Sequence, residues 1–211
     1  MKIIEVEQGS QEWLLSRCGL PTASGFDKII TAQGKPSTQR QKYLYQLAGE
    51  RILERPEETY KNLAMQRGTE MEPEARSFYE MISGETVTQV GFCLADSYGA
   101  SPDGLVGEDG MVEIKCPLVS THVSYLLNGT FPTEYFQQVQ GEILVTGRKW
   151  CDFLSYFPGL KPLLVRAFPD PEFQRKLQVE LELFCVELDL VVGKLKQEET
   201  PNVRKPTSNH R

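Results

Sequence analysis

The sequence predicts an α/β fold in which a mixed central β-sheet is flanked by helices and closed by a long C-terminal helix. The first third of the chain carries apolar residues at helical spacing, the middle switches to short β-rich runs, and the C-terminal stretch returns to one uninterrupted helical stripe. Ser10 is placed to cap a turn reaching Arg17, and Thr22 a second one reaching Ile30. Leu44, Leu47, Ala48 and Ile52 mark a further apolar stripe. From Asn62 to Ser83, Met71, Ala75, Phe78, Tyr79 and Ile82 recur at helical spacing, and Gly84 stands where a C-terminal cap belongs. Pro73 within this run predicts a kink or a fresh helix start, because proline lacks an N–H and crowds the preceding turn.

The period then changes. Thr86 to Ala95, Gly104 to Val106 and Met111 to Cys116 read as strands, and the turn Gly107-Glu108-Asp109-Gly110 makes the last two a hairpin. Helices are expected from Val119 to Leu127 and from Thr133 to Val145, and strands from Cys151 to Phe157 and from Leu163 to Phe168. Phe173, Leu177, Leu181, Phe184, Leu188, Val191 and Leu195 define the closing helix. This order is not a regular βαβ alternation and favours a sandwich around a mixed sheet. Residues 1–197 show no repeat or linker and read as one domain, whereas the polar, proline-broken stretch 198–211 reads as a disordered tail.

Composition narrows the chemistry. With 40% hydrophobic and 25% charged residues, the chain has the balance of a soluble globular protein. No apolar run approaches about 18 residues and the N-terminus MKIIEVEQGS is unlike a signal peptide, so a cytoplasmic protein without membrane contact is expected. Cys18, Cys93, Cys116, Cys151 and Cys185 are scattered, suggesting neither a zinc site nor a disulfide framework; they are expected to be reduced and mostly buried. His122 and His210 are too few for chemistry built on paired histidines, so a bound metal would have oxygen ligands. The formal charge of −6 disfavours a protein that coats nucleic acid non-specifically. Arg40, Lys42, Arg51, Arg55, Lys61, Arg67 and Arg76 are concentrated in the N-terminal third, either as a local basic groove or as a solvated helical surface. Trp13 and Trp150 read as packing residues, and His122 as a surface or helix side chain.

The candidate chemistry lies in Ser101-Pro102-Asp103-Gly104 and, after the hairpin turn, Val112-Glu113-Ile114-Lys115-Cys116. Residues two apart on a strand share a face, so Glu113 and Lys115 point together while Ile114 points into the core. The hairpin can return Asp103 toward them, giving two carboxylates able to share a hard divalent cation. Magnesium keeps several waters beside a few carboxylates, which leaves room for phosphate oxygens and suits phosphodiester hydrolysis. Each fragment alone also reads as an ordinary turn or an ordinary half-exposed strand. Their conjunction, after a helix with a spare carboxylate, is what points to a site.

These residues resemble the PD-(D/E)XK nuclease signature, and the wider chain resembles the lambda exonuclease and YqaJ-type viral recombinase family. Four segments carry the likeness, in the family's order between about Gln11 and Lys194: Arg17 to Ser24, Gly68 to Arg76, Glu113 to Pro117, and Tyr135 to Gln140. The resemblance implies a restriction-endonuclease-like core and a Mg2+-dependent 5′-to-3′ exonuclease, with Mn2+ as a possible substitute. The enzyme would degrade one strand of duplex DNA from an end to mononucleotides, leaving single strands for recombination. It further implies a homotrimeric ring around DNA and a single-strand annealing protein as partner.

By the same resemblance, Asp103 and Glu113 hold the metal with the Ile114 carbonyl, and Lys115 positions the attacking water. Glu72 serves the metal directly or through water, with Glu70 and Glu74 as neighbouring alternatives. Gln138 lies near the metal and the scissile phosphate, whereas Gln140 reads as a helix-surface amide. Arg17 and Ser24 match positions that hold the 5′-terminal phosphate, grouped here with Thr22 and with Lys35. Lys35 stands where the family has an arginine and would be a point charge, not a planar fork. The rival readings are a RecB-type or CRISPR-adaptation nuclease of the same superfamily, and a DNA-end or protein-binding module that has kept the fold without the chemistry. Scattered cysteines weigh against the cluster-bearing members of the first, and the full set of site residues against the second.

Overall fold

The structure is a computed structural model describing residues 1–57 and 63–197. The tail expected at 198–211, Lys61 and the first residue of the helix read from Asn62 lie outside the described residues. Strand β1 (Lys2–Ile4) is followed by helix α1 (Gln11–Arg17), where Ser10 Oγ accepts from the Trp13 N–H at 3.1 Å, as its place before the helix predicts. Thr22 does not cap in that way. The turn after it is a 3-10 helix (Ala23–Lys28), and the Thr22 hydroxyl instead accepts from Arg17.

Helix α2 (Arg40–Leu53) buries Leu44, Leu47 and Ala48, but Ile52 is exposed. At 3.6 residues per turn, Ile52 has rotated about 80° from Leu44 and left the inner face. Helix α3 (Leu63–Ser83) runs through Pro73 as one helix, so Pro73 starts no new one. Its inner face is fastened by Ala75 and Tyr79, both fully buried, while Ile82 is exposed. Gly84 closes it at φ +72°, with its N–H bonded to the Glu80 carbonyl.

The single strand expected from Thr86 to Ala95 is two strands in different sheets. Strand β2 (Val87–Thr88) joins a five-stranded sheet, whereas β3 (Phe92–Ala95) lies between β1 and β4 (Tyr98–Ala100) in a separate three-stranded one. Between β2 and β3 the backbone at Gly91 passes so close to Ile4 and Val6 that a Cβ would lie 2.4 Å from their carbonyl oxygens. Strands β1 and β4, of three residues each, are too short to leave a periodicity.

The larger sheet has the order β2-β5-β6-β7-β8, with β5 (Gly104–Val106), β6 (Gly110–Lys115), β7 (Trp150–Ser155) and β8 (Leu163–Ala167). Only β6 and β7 run parallel, which makes the sheet mixed as expected. Between them come α4 (Val119–Asn128), a 3-10 turn at Thr133–Tyr135, and α5 (Phe136–Thr146). Val112 and Ile114 meet Ala75 and Tyr79 of α3, while Met111 joins the larger core formed with α2, α5 and the closing helix α6 (Pro171–Gln197). Glu113 and Lys115 share the face of Met111, at the end of β6 where α5 crosses.

Helix α6 buries Phe173, Leu177, Leu181, Phe184 and Leu188, but Leu195 is exposed beyond the core. His122, read as a surface or helix side chain, lies on α4 but is buried, and Gln140, read as a helix-surface amide, is buried as well. His122 is fully enclosed, with Nδ1 at 2.7 Å from Ser155 Oγ and Nε2 at 3.0 Å from the Lys161 carbonyl. The Gln140 amide ties α5 to the chain entering α6, donating to the Phe168 carbonyl and accepting from the Asp170 N–H. All five cysteines are free; Cys93, Cys151 and Cys185 are buried, and Cys18 and Cys116 partly so. Among the described residues, no helix is long and apolar enough to cross a membrane.

Leu181, fully buried in the main cluster, anchors α6. Leu181→Ala is expected to cost about 3 kcal/mol of unfolding free energy in urea titrations, from lost transfer energy and the cavity left behind.

Candidate active site

A cavity of about 250 Å³ opens where the β5–β6 hairpin, α5, α1 and the 3-10 helix converge, and its walls include Arg17, Thr22, Ser24, Asp103, Glu113, Lys115 and Gln138. The hairpin performs the step that the spacing requires. Asp103 lies just before β5 and its Oδ2 accepts from the Ile114 N–H at 2.6 Å, which fixes the carboxylate beside Glu113. Glu113, only 1% exposed, uses Oε1 for both Lys115 Nζ and Gln138 Nε2, while its Oε2 is buried without a partner.

Charge in this wall is unbalanced. Burial, and then the neighbouring Glu113, push the Asp103 carboxyl well above its ordinary pKa, and the same two causes in the same order raise Glu142. The Lys115 ammonium is nevertheless held above its usual value: burial opposes it, but Glu113 and Asp103 prevail. No three His, Cys, Asp or Glu side chains among the described residues converge as a ready-made metal cage. The donors still fit a hard cation: the adjacent carboxylates of Asp103 and Glu113, the latter with a free buried oxygen and the former strained by like charge. A divalent ion that keeps several waters needs no more from the protein.

Glu72 is not in the cavity wall. It pairs with Arg76 on α3; burial raises its pKa, with Glu113 adding to the rise and the Arg76 and Lys115 charges opposing it. The alternatives fare worse: Glu70 is exposed and bonded by Gln66, and Glu74 accepts from the Tyr156 hydroxyl at 2.6 Å. Lys35 is exposed on the turn after the 3-10 helix and is not brought to the cavity. Of the two readings for the N-terminal cations, the pairings among the described residues favour a helical surface over a basic groove. Arg40 pairs with Glu187, Arg51 with Asp189 and Arg76 with Glu72, while Arg67 lies over the Phe157 ring.

The cation opposite the carboxylates is Arg17. It reaches the Thr22 and Ser24 hydroxyls at 3.3 Å and lies over the Trp13 ring at 3.9 Å, and burial lowers its pKa to about 10, leaving it charged at neutral pH. The turn after it is clamped from both sides by α2, Glu50 accepting from the Gly19 N–H and Arg51 donating to the Gly19 carbonyl. Gly19 itself adopts φ +68°, and a Cβ there would lie 2.3 Å from the Arg51 side chain.

Four lining residues were assigned no role in the site from the sequence. Trp13 is more than packing, since its indole N–H donates to Ser101 Oγ at 3.0 Å and to the Gly91 carbonyl. Gln8 donates to the carbonyls of Val90 and Pro102, bracing the chain just before Asp103. Ser101 was legible as the residue two before Asp103. Glu142 was legible as the acid one helical turn beyond Gln138, to whose Nε2 it offers an acceptor at 2.9 Å.

A mixed sheet that delivers an aspartate, a glutamate and a lysine to one wall of a cavity defines the PD-(D/E)XK class of fold. The model of the YqaJ-like viral recombinase domain matches residues 12–149, and the chain belongs to that family. The solved alkaline exonuclease LHK-Exo from Laribacter hongkongensis is 37% identical, with a TM-score of 0.81 over 89% of this chain and 97% of that one. The same enzyme solved in complex with dAMP matches equally. A phage-related exonuclease from Haemophilus somnus 129PT shares the fold at 14% identity, TM-score 0.69, over 83% of this chain and 96% of that one. A search of curated proteins found no match.

Two outcomes follow for the metal-free protein. Because the folded-state pKa of Asp103 is raised, its protonation stabilises the native state at low pH, and that contribution is lost as pH rises from the ordinary carboxylate range through the raised value. Relative to Asp103→Asn, the wild type should therefore lose melting temperature as pH rises above the ordinary carboxylate range in EDTA, read by calorimetry. Gly19→Ala should shift the Arg17 turn, weakening binding of a 5′-phosphorylated duplex about tenfold in fluorescence titrations while leaving unphosphorylated ends little affected.

Proposed function

We propose that this protein is a divalent-metal-dependent DNA exonuclease acting on duplex ends, with 5′-to-3′ polarity and mononucleotide products. The observation that carries the reading is the sharing of one cavity by the phosphate-binding chemistry of Arg17 and the hydrolytic chemistry of Asp103, Glu113 and Lys115. Arginine supplies two donors in a fork that matches phosphate, and the Thr22 and Ser24 hydroxyls already sit within its reach. A 5′-terminal phosphate held there places the first phosphodiester toward the carboxylates. The likeness to an alkaline exonuclease, one structure of which holds dAMP, agrees with a mononucleotide-sized site.

Asp103 and Glu113 would hold the metal, with the Ile114 carbonyl and with Glu72 directly or through water. Mg2+ is the ion that suits this donor set, with Mn2+ as a substitute. When bound, the ion supplies Lewis-acid polarisation of the phosphoryl oxygen and lowers the pKa of a coordinated water. Lys115, kept cationic by Glu113 and Asp103, orients the attacking water and favours its deprotonated form. Gln138 stands beside both, bonded to the same Glu113 oxygen.

The formal charge of −6 is compatible with a homotrimeric ring that stays on DNA by enclosure, and the single strand left behind would pass to an annealing protein. Residues 1–197 would act as one nuclease domain in the cytoplasm.

Linear duplex labelled separately at its 5′ and 3′ ends tests the reading. Wild-type protein in Mg2+ should release the 5′ label as mononucleotide; EDTA should abolish release, and Lys115→Ala should slow it by about 100-fold or more. Release from the 3′ end, or cutting of closed circles, would overturn the polarity. Tight metal-dependent binding without cleavage would make the protein an end-binding module.

A further inference from the structure

Glu142 is the acid in the cavity that the motif residues leave over. It is 1% exposed, stands one turn after Gln138 on α5 and lines the cavity with Asp103, Glu113 and Lys115. Gln138 Nε2 donates to Glu113 Oε1 at 2.6 Å and to Glu142 Oε1 at 2.9 Å. A primary amide has two N–H donors, so both are taken by carboxylates. The carbonyl Oε1 is then the only polar atom of the Gln138 side chain left to meet a bound group.

Glu113 alone would not fix that orientation. The last torsion of a glutamine is broad, and with one donor tethered the amide can turn over and offer N–H where it now offers C=O. The second carboxylate removes that freedom. Its own place is secured by Gly141, where a Cβ would lie 2.3 Å from the Phe26 ring, so that α5 lies hard against the 3-10 helix that carries Ser24. Glu142 Oε2, moreover, is buried with no partner, an arrangement that costs stability.

We propose that Glu142 is a positioning residue which sets the polarity of the Gln138 amide, making Gln138 a hydrogen-bond acceptor in the site. Lys115 Nζ and Gln138 Nε2 share one Glu113 oxygen, so the ammonium and the amide are neighbours. A water between them would donate to Gln138 Oε1 and accept from Lys115, which orients its remaining lone pair. An amide turned the other way would compete with Lys115 as a donor. The inference rests on the exonuclease reading above and goes beyond it to a residue outside the motif.

The test compares Glu142→Leu, Glu142→Gln, Gln138→Ala and the double variant Gln138→Ala/Glu142→Leu in the 5′-label assay at saturating Mg2+. Glu142→Leu should lower kcat about 30-fold with little change in KM for DNA, as expected for loss of orientation and not of binding. Its melting temperature in EDTA should fall only slightly, since the lost hydrogen bond from Gln138 is offset by replacing a buried carboxyl, one oxygen of which has no partner, with an apolar side chain of similar volume. Glu142→Gln keeps an acceptor within reach of Gln138 and should recover most of the rate. The double variant should be no slower than Gln138→Ala. Independently of activity, the Gln138 side-chain amide protons should exchange slowly with solvent in the wild type and rapidly in Glu142→Leu, read by NMR in EDTA. Additive rates in the double variant, an unchanged kcat, or a melting-temperature fall that accounts for the lost rate would overturn the proposal, as would equal amide exchange in the two proteins. A wild type that releases no label would sink the exonuclease reading, while the exchange measurement would still decide whether Glu142 holds the amide.

Discussion

The structure depends on the burial of several carboxylates around one lysine. Asp103, Glu113 and Glu142 line the same cavity, Glu72 acts on them through its charge from α3, and Lys115 is the ammonium among them. Such a cluster is unfavourable for the isolated chain, because desolvation and like-charge repulsion both oppose ionisation. It becomes favourable when a cation completes it. The same imbalance holds Lys115 in its charged form, so the feature that calls for a metal also prepares the residue that would handle the water.

Much of the architecture serves to keep that cluster in register. The β5–β6 hairpin brings Asp103 to the Ile114 N–H, and the parallel pairing of β6 with β7 fixes the far side of β6, with Glu113 opposite Phe153. Helix α5 then crosses with Gln138 and Glu142 facing the same point. Across the cavity, α2 clamps the Gly19 peptide and so sets the height of Arg17. Arg51, which makes half of that clamp, is itself paired with Asp189 on α6. The long closing helix is thereby linked to the position of Arg17 in the cavity.

Long elements with strong periodicity were legible in the sequence: α3, α5 and the hairpin fall within a few residues of their expected bounds, and α2 and α6 run where their apolar stripes lie. Strands of two or three residues were not, because their pairing comes from tertiary contact; the split of Thr86–Ala95 between two sheets is enforced by a close backbone crossing at Gly91. Of the site, Asp103, Glu113, Lys115, Gln138, Arg17, Thr22 and Ser24 meet in one cavity, since strand alternation and hairpin closure are local rules. Lys35 does not meet them, and Glu72 lies behind the wall. Trp13, Gln8, Ser101 and Glu142 escaped notice because each looks ordinary until the fold supplies its neighbours. Gln140 was misplaced at the surface, and the burial of His122 on its helix went unread, for the same reason: the partners that allow a buried imidazole and amide come from distant segments.

Whether Asp103 and Glu113 form a divalent-cation site is tested, without reference to cleavage, by titration calorimetry with Mn2+ on the metal-free protein. Saturable binding with release of protons, abolished in Glu113→Gln and strongly weakened in Asp103→Asn, is the predicted result. Absence of Mn2+ binding by the wild type, or binding of equal strength by both variants, would contradict it.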